Sequence, residues 1–305
     1  MAVSAVVPGL AVGPLLYDWE RAATCAFYEA VAAAPVRTVY LGETVCAKRR
    51  ALSPADWIAL GRELAAAGKE PVLSTLTLVE ARSELSTVRR LCENGEFAVE
   101  ANDMSAVALL AERGVPFVGG PALNLYGRDS LAVLVGHGLF RWIPPVEMSG
   151  AALGELLAGW DPAVHGPLPQ TELFALGRIP LAWSARCFTA RAHGRPKDDC
   201  GFVCRAHPGG LALDTQDGER FLTLNGIQTQ SGRPVNLFPH LDTIRELGIS
   251  ALRVSPMPGD AADLLARCRA VLDGERPPQA VADVLAEPAS DGYWQGRAGL
   301  ASASA

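Results

Sequence analysis

Three of the seven cysteines lie close together in one segment, and a fourth follows an apolar run far upstream. Cys187, Cys200 and Cys204 fall within 18 residues of a 305-residue chain. Cys46 ends the segment Gly-Glu-Thr-Val-Cys, directly after the second predicted strand. Four thiolates are the usual ligand set of an iron–sulfur cluster or of a structural zinc ion. The four cysteines therefore predict a metal site.

The spacing of these cysteines helps to choose between the two metals. Zinc sites usually combine two C-x₂₋₄-C pairs, whereas here one short pair, Cys200 and Cys204, joins two distant single cysteines. The dispersed pattern favours an iron–sulfur cluster. Residues 186–205 carry five basic and two acidic side chains, and positive charge stabilises thiolates. Reduced thiols without a ligand are the alternative interpretation.

The other candidate ligands have simpler interpretations. Cys25, Cys92 and Cys268 lie within helical patterns and are predicted core residues. His207 follows Cys204 in a C-x₃-C-x₂-H run, but four thiols already complete a ligand set. The basic run 48–50 precedes a helix and is predicted to form a solvated face.

Polar side chains follow several predicted strands. Glu43 follows the second strand and Glu100 ends the fourth, so both could face one end of a barrel and act as acid and base or bind a metal. Glu43 could equally cap a backbone turn. Asn102 and Asn124 occupy comparable positions and could hydrogen-bond a substrate, with turn formation the favoured role for Asn124.

About eight short apolar runs alternate with helical patterns, which predicts a (β/α)₈-like, TIM-type barrel formed as a single domain over residues 1–305. The alternative, an open doubly wound sheet, lacks a G-x-G-x-x-G segment after the first strand. The alternation of apolar runs and helical patterns stops at about 183–233. This segment is predicted to be an irregular insertion that carries three of the cysteines and one small strand at 221–224. Since the loops that follow barrel strands share one face, the Cys46 loop can meet this insertion.

Composition limits the class of protein. Hydrophobic residues make up 49% and charged residues 20%, with a net charge of −6, which is typical of a globular protein and argues against a nucleic-acid surface. The sequence contains no apolar run of 18 residues, so it predicts no membrane-spanning helix. Residues 1–14 are apolar but contain no Lys or Arg, so they predict a strand and not a secretory signal. The lack of a secretory signal and the odd number of cysteines together favour a location in the reducing cytoplasm.

Four segments carry a resemblance to a known family. They are residues 42–46, 172–177, 182–191 and 225–229, and together they resemble the collagenase-like "U" peptidase family. Within it, the chain is most similar to members that act in oxygen-independent ubiquinone biosynthesis, over nearly its whole length. The resemblance implies a barrel-like fold and a 4Fe–4S cluster, with Cys46, Cys187, Cys200 and Cys204 as its ligands.

The resemblance also implies a function and partners. It implies a stable heterodimer with a related, UbiU-like protein, a lipid-carrier protein that delivers the quinone precursor, and hydroxylation of the aromatic ring without molecular oxygen. The family's peptidase-like signature has a cysteine where this chain has Pro180, which argues against protease activity. A scaffold subunit with a structural cluster, and a peptidase or RNA-modification relative, are the alternatives.

Overall fold

The computed structural model describes residues 7–301, in which eight parallel strands close into a barrel. Residues 1–6 of the predicted N-terminal strand lie outside the described range. The strands are β1 (Gly9–Val12), β2 (Thr38–Leu41), β3 (Glu70–Ser74), β4 (Ala98–Ala101), β5 (Phe117–Gly119), β6 (Leu139–Trp142), β7 (Gln170–Trp183), β8 (Leu211–Asp214), β9 (Arg220–Asn225), β10 (Gln228–Asn236) and β11 (Ala251–Val254). Strand β11 pairs in parallel with both β1 and β7, which closes the barrel. The TIM-type prediction is confirmed, and the doubly wound alternative is wrong.

Helices separate the barrel strands. They are α1 (Arg21–Ala33), α2 (Pro54–Ala66), α3 (Arg82–Cys92), α4 (Met104–Ala111), α5 (Arg128–Gly136), α6 (Gly150–Ala158), α7 (Pro162–His165), α8 (Phe188–Ala192), α9 (Leu241–Glu246), α10 (Ala261–Leu272) and α11 (Gln279–Ala282). Helix α2 begins with a capping box, in which Ser53 and Asp56 exchange side-chain-to-backbone hydrogen bonds, and Pro54 occupies its first turn. In the part of the chain that is described, none of these helices has the length and apolar character needed to cross a membrane.

The hydrophobic core has two main parts. The larger part fills the space between the strands and the surrounding helices and includes Tyr28, Phe117 and Trp142. A smaller cluster contains Ala11, Tyr40, Val72, Val118 and Ile143, one residue from each of β1, β2, β3 and β5 and one just after β6. Filling of this kind makes a TIM barrel a packed core and not a pore, so its binding sites belong to the loops.

The segment after β7 is more regular than the sequence indicates. Strand β7 has 14 residues, and its second half pairs in antiparallel fashion with β10. Strand β10 also pairs with β9, and β9 pairs with β8 at the edge of the sheet. The apolar run at 172–176 is thus only the first part of β7, and the small strand predicted at 221–224 corresponds to β9 alone. The register of β10 shifts between Gln230 and Pro234, and these irregularities, together with Gly232, conceal its alternation in the sequence.

Candidate functional site

The loops after β2 and β7 carry Cys46 and Cys187 to the same end of the barrel. Both strands are parallel, so their carboxyl ends share one face. Both cysteines are partly buried and pack against one small apolar cluster formed by Leu16, Val45 and Ile227. The structure thus brings together two cysteines that lie far apart in the sequence, as the barrel topology predicts.

Glu43 forms the turn that holds Cys46. Its Oε1 accepts hydrogen bonds from the backbone N–H groups of Val45 and Cys46, at 2.8 and 3.0 Å. Burial raises the pKa of Glu43 to about 7, and the Arg49 guanidinium, 3.8 Å away, opposes this shift. Of the two predicted roles for Glu43, the structure shows the turn cap.

Arg49 connects the two cysteine-bearing segments. Its side chain donates to the Leu16 carbonyl at 2.6 Å and to Asn225 Oδ1 at 2.7 Å, and the residue is only 4% exposed. Burial raises the pKa of the Cys46 and Cys204 thiols, and the nearby Arg49 guanidinium opposes both shifts. The predicted solvated face at 48–50 is therefore wrong for Arg49, a buried cation beside two thiols.

Cys204 lies in a desolvated, polar environment. Its Sγ donates to Asp18 Oδ2 at 3.2 Å, and Arg205 Nε lies 3.2 Å from the same oxygen. Burial raises the pKa of the Cys204 thiol to about 12; Arg49 opposes this shift and Asp18 reinforces it. At neutral pH such a thiol keeps its proton unless a metal ion displaces it. No pattern in the sequence predicts that Asp18 and Arg49 lie beside the Cys204 thiol.

Two lysines join the segment that precedes Cys200 to the loops that carry Cys46 and Cys187. Lys48 Nζ donates to the Lys197 carbonyl at 2.9 Å and to Asp198 Oδ1 at 3.1 Å. Lys197 Nζ in turn donates to the Ala185 carbonyl at 2.9 Å. These contacts fix the backbone before Cys200 beside the loops that bear the other cysteines.

Cys187 has a backbone donor of its own. It precedes α8, and its Sγ accepts a hydrogen bond from the Ala190 N–H at 3.4 Å. Backbone donors of this kind stabilise a thiolate and tune the potential of a cluster that it binds.

The donor set matches a thiolate-bound cluster in its chemistry. Residues 7–301 contain no three His, Cys, Asp or Glu side chains already grouped as a metal shell. Three of the four thiols do share one neighbourhood, since Cys46 packs with Cys187 on one cluster and Arg49 lies beside Cys46 and Cys204. Cys200 follows the segment that Lys48 and Lys197 link to the other cysteine-bearing loops. The residues present therefore fit an iron–sulfur cluster in number and kind.

The remaining candidates have structural roles. Glu100 is fully buried and accepts from Ser74 Oγ at 2.6 Å and from Arg253 Nη1 at 2.7 Å, so it is not a free acid or base. Asn102 Nδ2 donates to a backbone carbonyl, and Asn124 ends a 3₁₀ turn with a φ of 54°. The turn role predicted for Asn124 is confirmed.

The other cysteines lie on helices, and the His207 side chain contacts another histidine. Cys92 and Cys268 are buried in α3 and α10, and Cys25 packs partly buried against the main core, as predicted. His207 Nε2 lies 2.8 Å from His193 Nε2, so it is paired with another imidazole.

Comparison with known proteins identifies a family. The sequence profile of peptidase family U32 matches residues 22–271, a range that includes all four candidate ligands. Among solved structures, the chain is similar to a tryptophan synthase from M. tuberculosis, with 12% identity, coverage of 92% of this chain and 94% of that one, and a TM-score of 0.43. It is also similar to a dihydropteroate synthase from Thermus thermophilus, with 14% identity, coverage of 88% and 93%, and a TM-score of 0.44. Likenesses this distant say nothing about activity.

Proposed function

The chain belongs to peptidase family U32, and we propose that it is a UbiV-like iron–sulfur protein. It takes part, in the cytoplasm, in the oxygen-independent hydroxylation of the aromatic ring in ubiquinone biosynthesis. The observation that carries the proposal is the arrangement of two cysteine-bearing loops around Arg49, at the end of the barrel where enzymes of this fold have their active sites.

The proposed 4Fe–4S cluster is bound by Cys46, Cys187, Cys200 and Cys204, and when bound it supplies one-electron transfer. The chain's own groups prepare the site for it. Arg49 places one buried positive charge beside the thiolates, and the Ala190 N–H donates to Cys187 Sγ. Both lower the free energy of the deprotonated thiols that a cluster needs.

Proteolysis is not part of the proposal. Pro180 has no nucleophilic side chain, and it lies within β7, opposite Gln230 of β10. A position inside a paired strand, with a ring in place of a thiol, offers no group for attack on a peptide bond.

The cofactor is tested on protein purified without oxygen. We expect a brown protein with a broad band near roughly 400 nm and about four iron and four sulfide ions per chain, because thiolate-bound clusters absorb there. The measurements are the absorption spectrum and the iron, sulfide and zinc contents. A colourless protein with stoichiometric zinc would leave a structural metal site and overturn the proposal.

The proposed partners are a UbiU-like protein, in a heterodimer, and a lipid-carrier protein that delivers the quinone precursor. Support comes from the insertion, which exposes the basic residues Arg191 and Arg195 together with apolar side chains such as Phe202 and Phe221. Apolar side chains exposed near basic residues suit an interface with a partner that places acidic residues opposite Arg191 and Arg195.

The heterodimer is tested by co-expression with a UbiU-like protein, followed by size-exclusion chromatography with light scattering. We expect a 1:1 complex whose rate of formation falls when Arg191 and Arg195 are both changed to Glu, because reversed charge weakens steering. The control is the same double change at Arg89 and Arg90, which are exposed on α3, outside the insertion. Separate elution of two folded, cluster-loaded chains would contradict the heterodimer.

A further inference from the structure

The sheet extension formed by β8, β9 and β10 has a polar, buried inner face. Asn225 of β9 lies opposite Gln228 of β10. Thr223 lies opposite Gln230, so these four side chains share one face of the sheet. All four residues are at most 3% exposed. Asn225 Nδ2 donates to the Leu16 carbonyl at 2.7 Å, so this face packs on the loop after β1 through amide and hydroxyl groups.

The opposite face of the same extension carries four leucines. Leu211 of β8 lies opposite Leu224 of β9. Leu213 lies opposite Leu222, so all four side chains point away from the polar face, and we call them the leucine face. Leu213 is 41% exposed, and the other three are partly exposed. Within residues 7–301, none of the four packs against a buried hydrophobic cluster.

The two faces are arranged in the reverse of the usual order for a sheet in water. An antiparallel sheet with one solvated face normally turns its apolar side chains to the core and its polar side chains to water. Here the amides and the hydroxyl are buried, while the leucines meet solvent. Removal of apolar surface from water is favourable by about 25 cal/mol per Å². The arrangement therefore indicates that an apolar surface of another molecule covers the leucine face.

The charges beside the leucine face indicate a protein and not a membrane. Asp214 ends β8, and the turn that follows carries Asp217 and Glu219. The one basic residue of this segment, Arg220, pairs with Asp214 at 2.6 Å. Surfaces that bind anionic lipids carry Lys and Arg beside their apolar side chains. An acidic flank instead suits a protein that places basic residues opposite it.

We propose that the leucine face is the docking surface of the partner protein, which lays on it an apolar patch flanked by Lys or Arg side chains. The identity of this partner as a UbiU-like protein rests on the proposed function. The leucine face and the basic insertion then have different roles. Exposed charges such as Arg191 and Arg195 act on the rate of association, whereas buried apolar contacts act mainly on the rate of dissociation.

The experiment measures association and dissociation rates of the full chain with a UbiU-like protein by biolayer interferometry without oxygen. The variant is Leu213→Ser, which removes apolar area from the leucine face without adding a charge. We expect its complex to dissociate about tenfold faster, because burial of a leucine side chain is lost. The association rate should stay the same, because the charges that steer the encounter are unchanged.

The matched control is Leu168→Ser. Leu168 is 51% exposed, and it lies just before β7, outside the sheet extension. This change removes the same side chain from another exposed site and should leave both rates unchanged. Equal midpoints of thermal unfolding for the two variants show that each is folded.

A Leu213→Ser complex that dissociates at the wild-type rate would overturn the docking surface and leave the heterodimer intact. A wild-type chain that forms no complex would overturn both, and the iron content of the same samples then tests the cluster separately. Two other results would also overturn the proposal by giving the leucine face a different cover. One is a homodimer of the chain alone, and the other is binding to vesicles of phosphatidylglycerol and phosphatidylethanolamine, each lost in Leu213→Ser.

Discussion

Arg49 is the buried cation nearest to the proposed cluster ligands. It is buried, it holds the Leu16 carbonyl and Asn225 Oδ1 by hydrogen bonds, and it lies beside the thiols of Cys46 and Cys204. A methionine there would leave the buried Asn225 Oδ1 without a donor, the Leu16 carbonyl with the Asn225 Nδ2 donor alone, and the thiolates without a nearby cation.

We expect Arg49→Met to lower the iron content sharply and to reduce the free energy of unfolding by roughly 3 kcal/mol, as for other broken buried polar pairs. Arg50→Met is the control, because the neighbouring Arg50 is exposed and surface changes stay within about 0.5 kcal/mol. The measurements are iron per chain and urea unfolding, both without oxygen. Equal iron in the two variants would show that Arg49 does not support the cluster.

The sequence predicts the four thiols as ligands but gives no indication of the charged residues around them. Composition and spacing are enough to single out the cysteines. In the run 48–50, however, three adjacent basic residues look alike, and only the fold shows that Arg49 is buried while Arg50 is exposed. Asp18 and Arg253 reach their partners only after the barrel closes, so no local pattern marks them.

The turn after β2 positions Cys46 through its backbone. Gly42 has a φ of 145°, and a Cβ atom there would lie 2.2 Å from the Ser74 carbonyl oxygen of β3. That position therefore requires glycine, both for its conformation and for the close approach of two strands. Glu43 then completes the turn with the two hydrogen bonds to Val45 and Cys46.

We expect Gly42→Ala to destabilise the fold by more than about 3 kcal/mol, because both strain and a backbone clash oppose it. It should also lower the iron content by displacing Cys46. Gly68→Ala is the matched control: Gly68 has a φ of 80°, but nothing lies within 4 Å of an added Cβ, so the cost should be about 1 kcal/mol. Urea unfolding and iron analysis provide the measurements, and equal losses in the two variants would contradict this role for Gly42.

The barrel strands were predictable and the sheet extension was not. Short apolar runs that alternate with helices specify parallel strands through local patterns. The pairing of β7 with β10 depends on residues far apart in the sequence, and its register shifts twice. Pro180, Gly232 and Pro234 read locally as loop residues, because a bulged strand can tolerate them while a regular one cannot.

Closure of the barrel assembles groups from distant parts of the chain. Arg253 of β11 joins Glu100 of β4 and Glu172 of β7 in its interior, while the loops after β2 and β7 meet above it. The proposed cluster site therefore depends on the whole molecule, because closure of the barrel brings the loops that carry Cys46 and Cys187 together.

The most direct measurement is the iron content of Cys46→Ala, purified without oxygen, compared with Cys25→Ala. Cys46 lies on the loop after β2, whereas Cys25 packs against the core in α1. If thiols from two distant loops bind one cluster, Cys46→Ala loses most of its iron and its absorption near roughly 400 nm. Cys25→Ala keeps both and loses only about 1 kcal/mol of packing stability. Full iron in folded Cys46→Ala would contradict the convergence of the two loops on a single cluster.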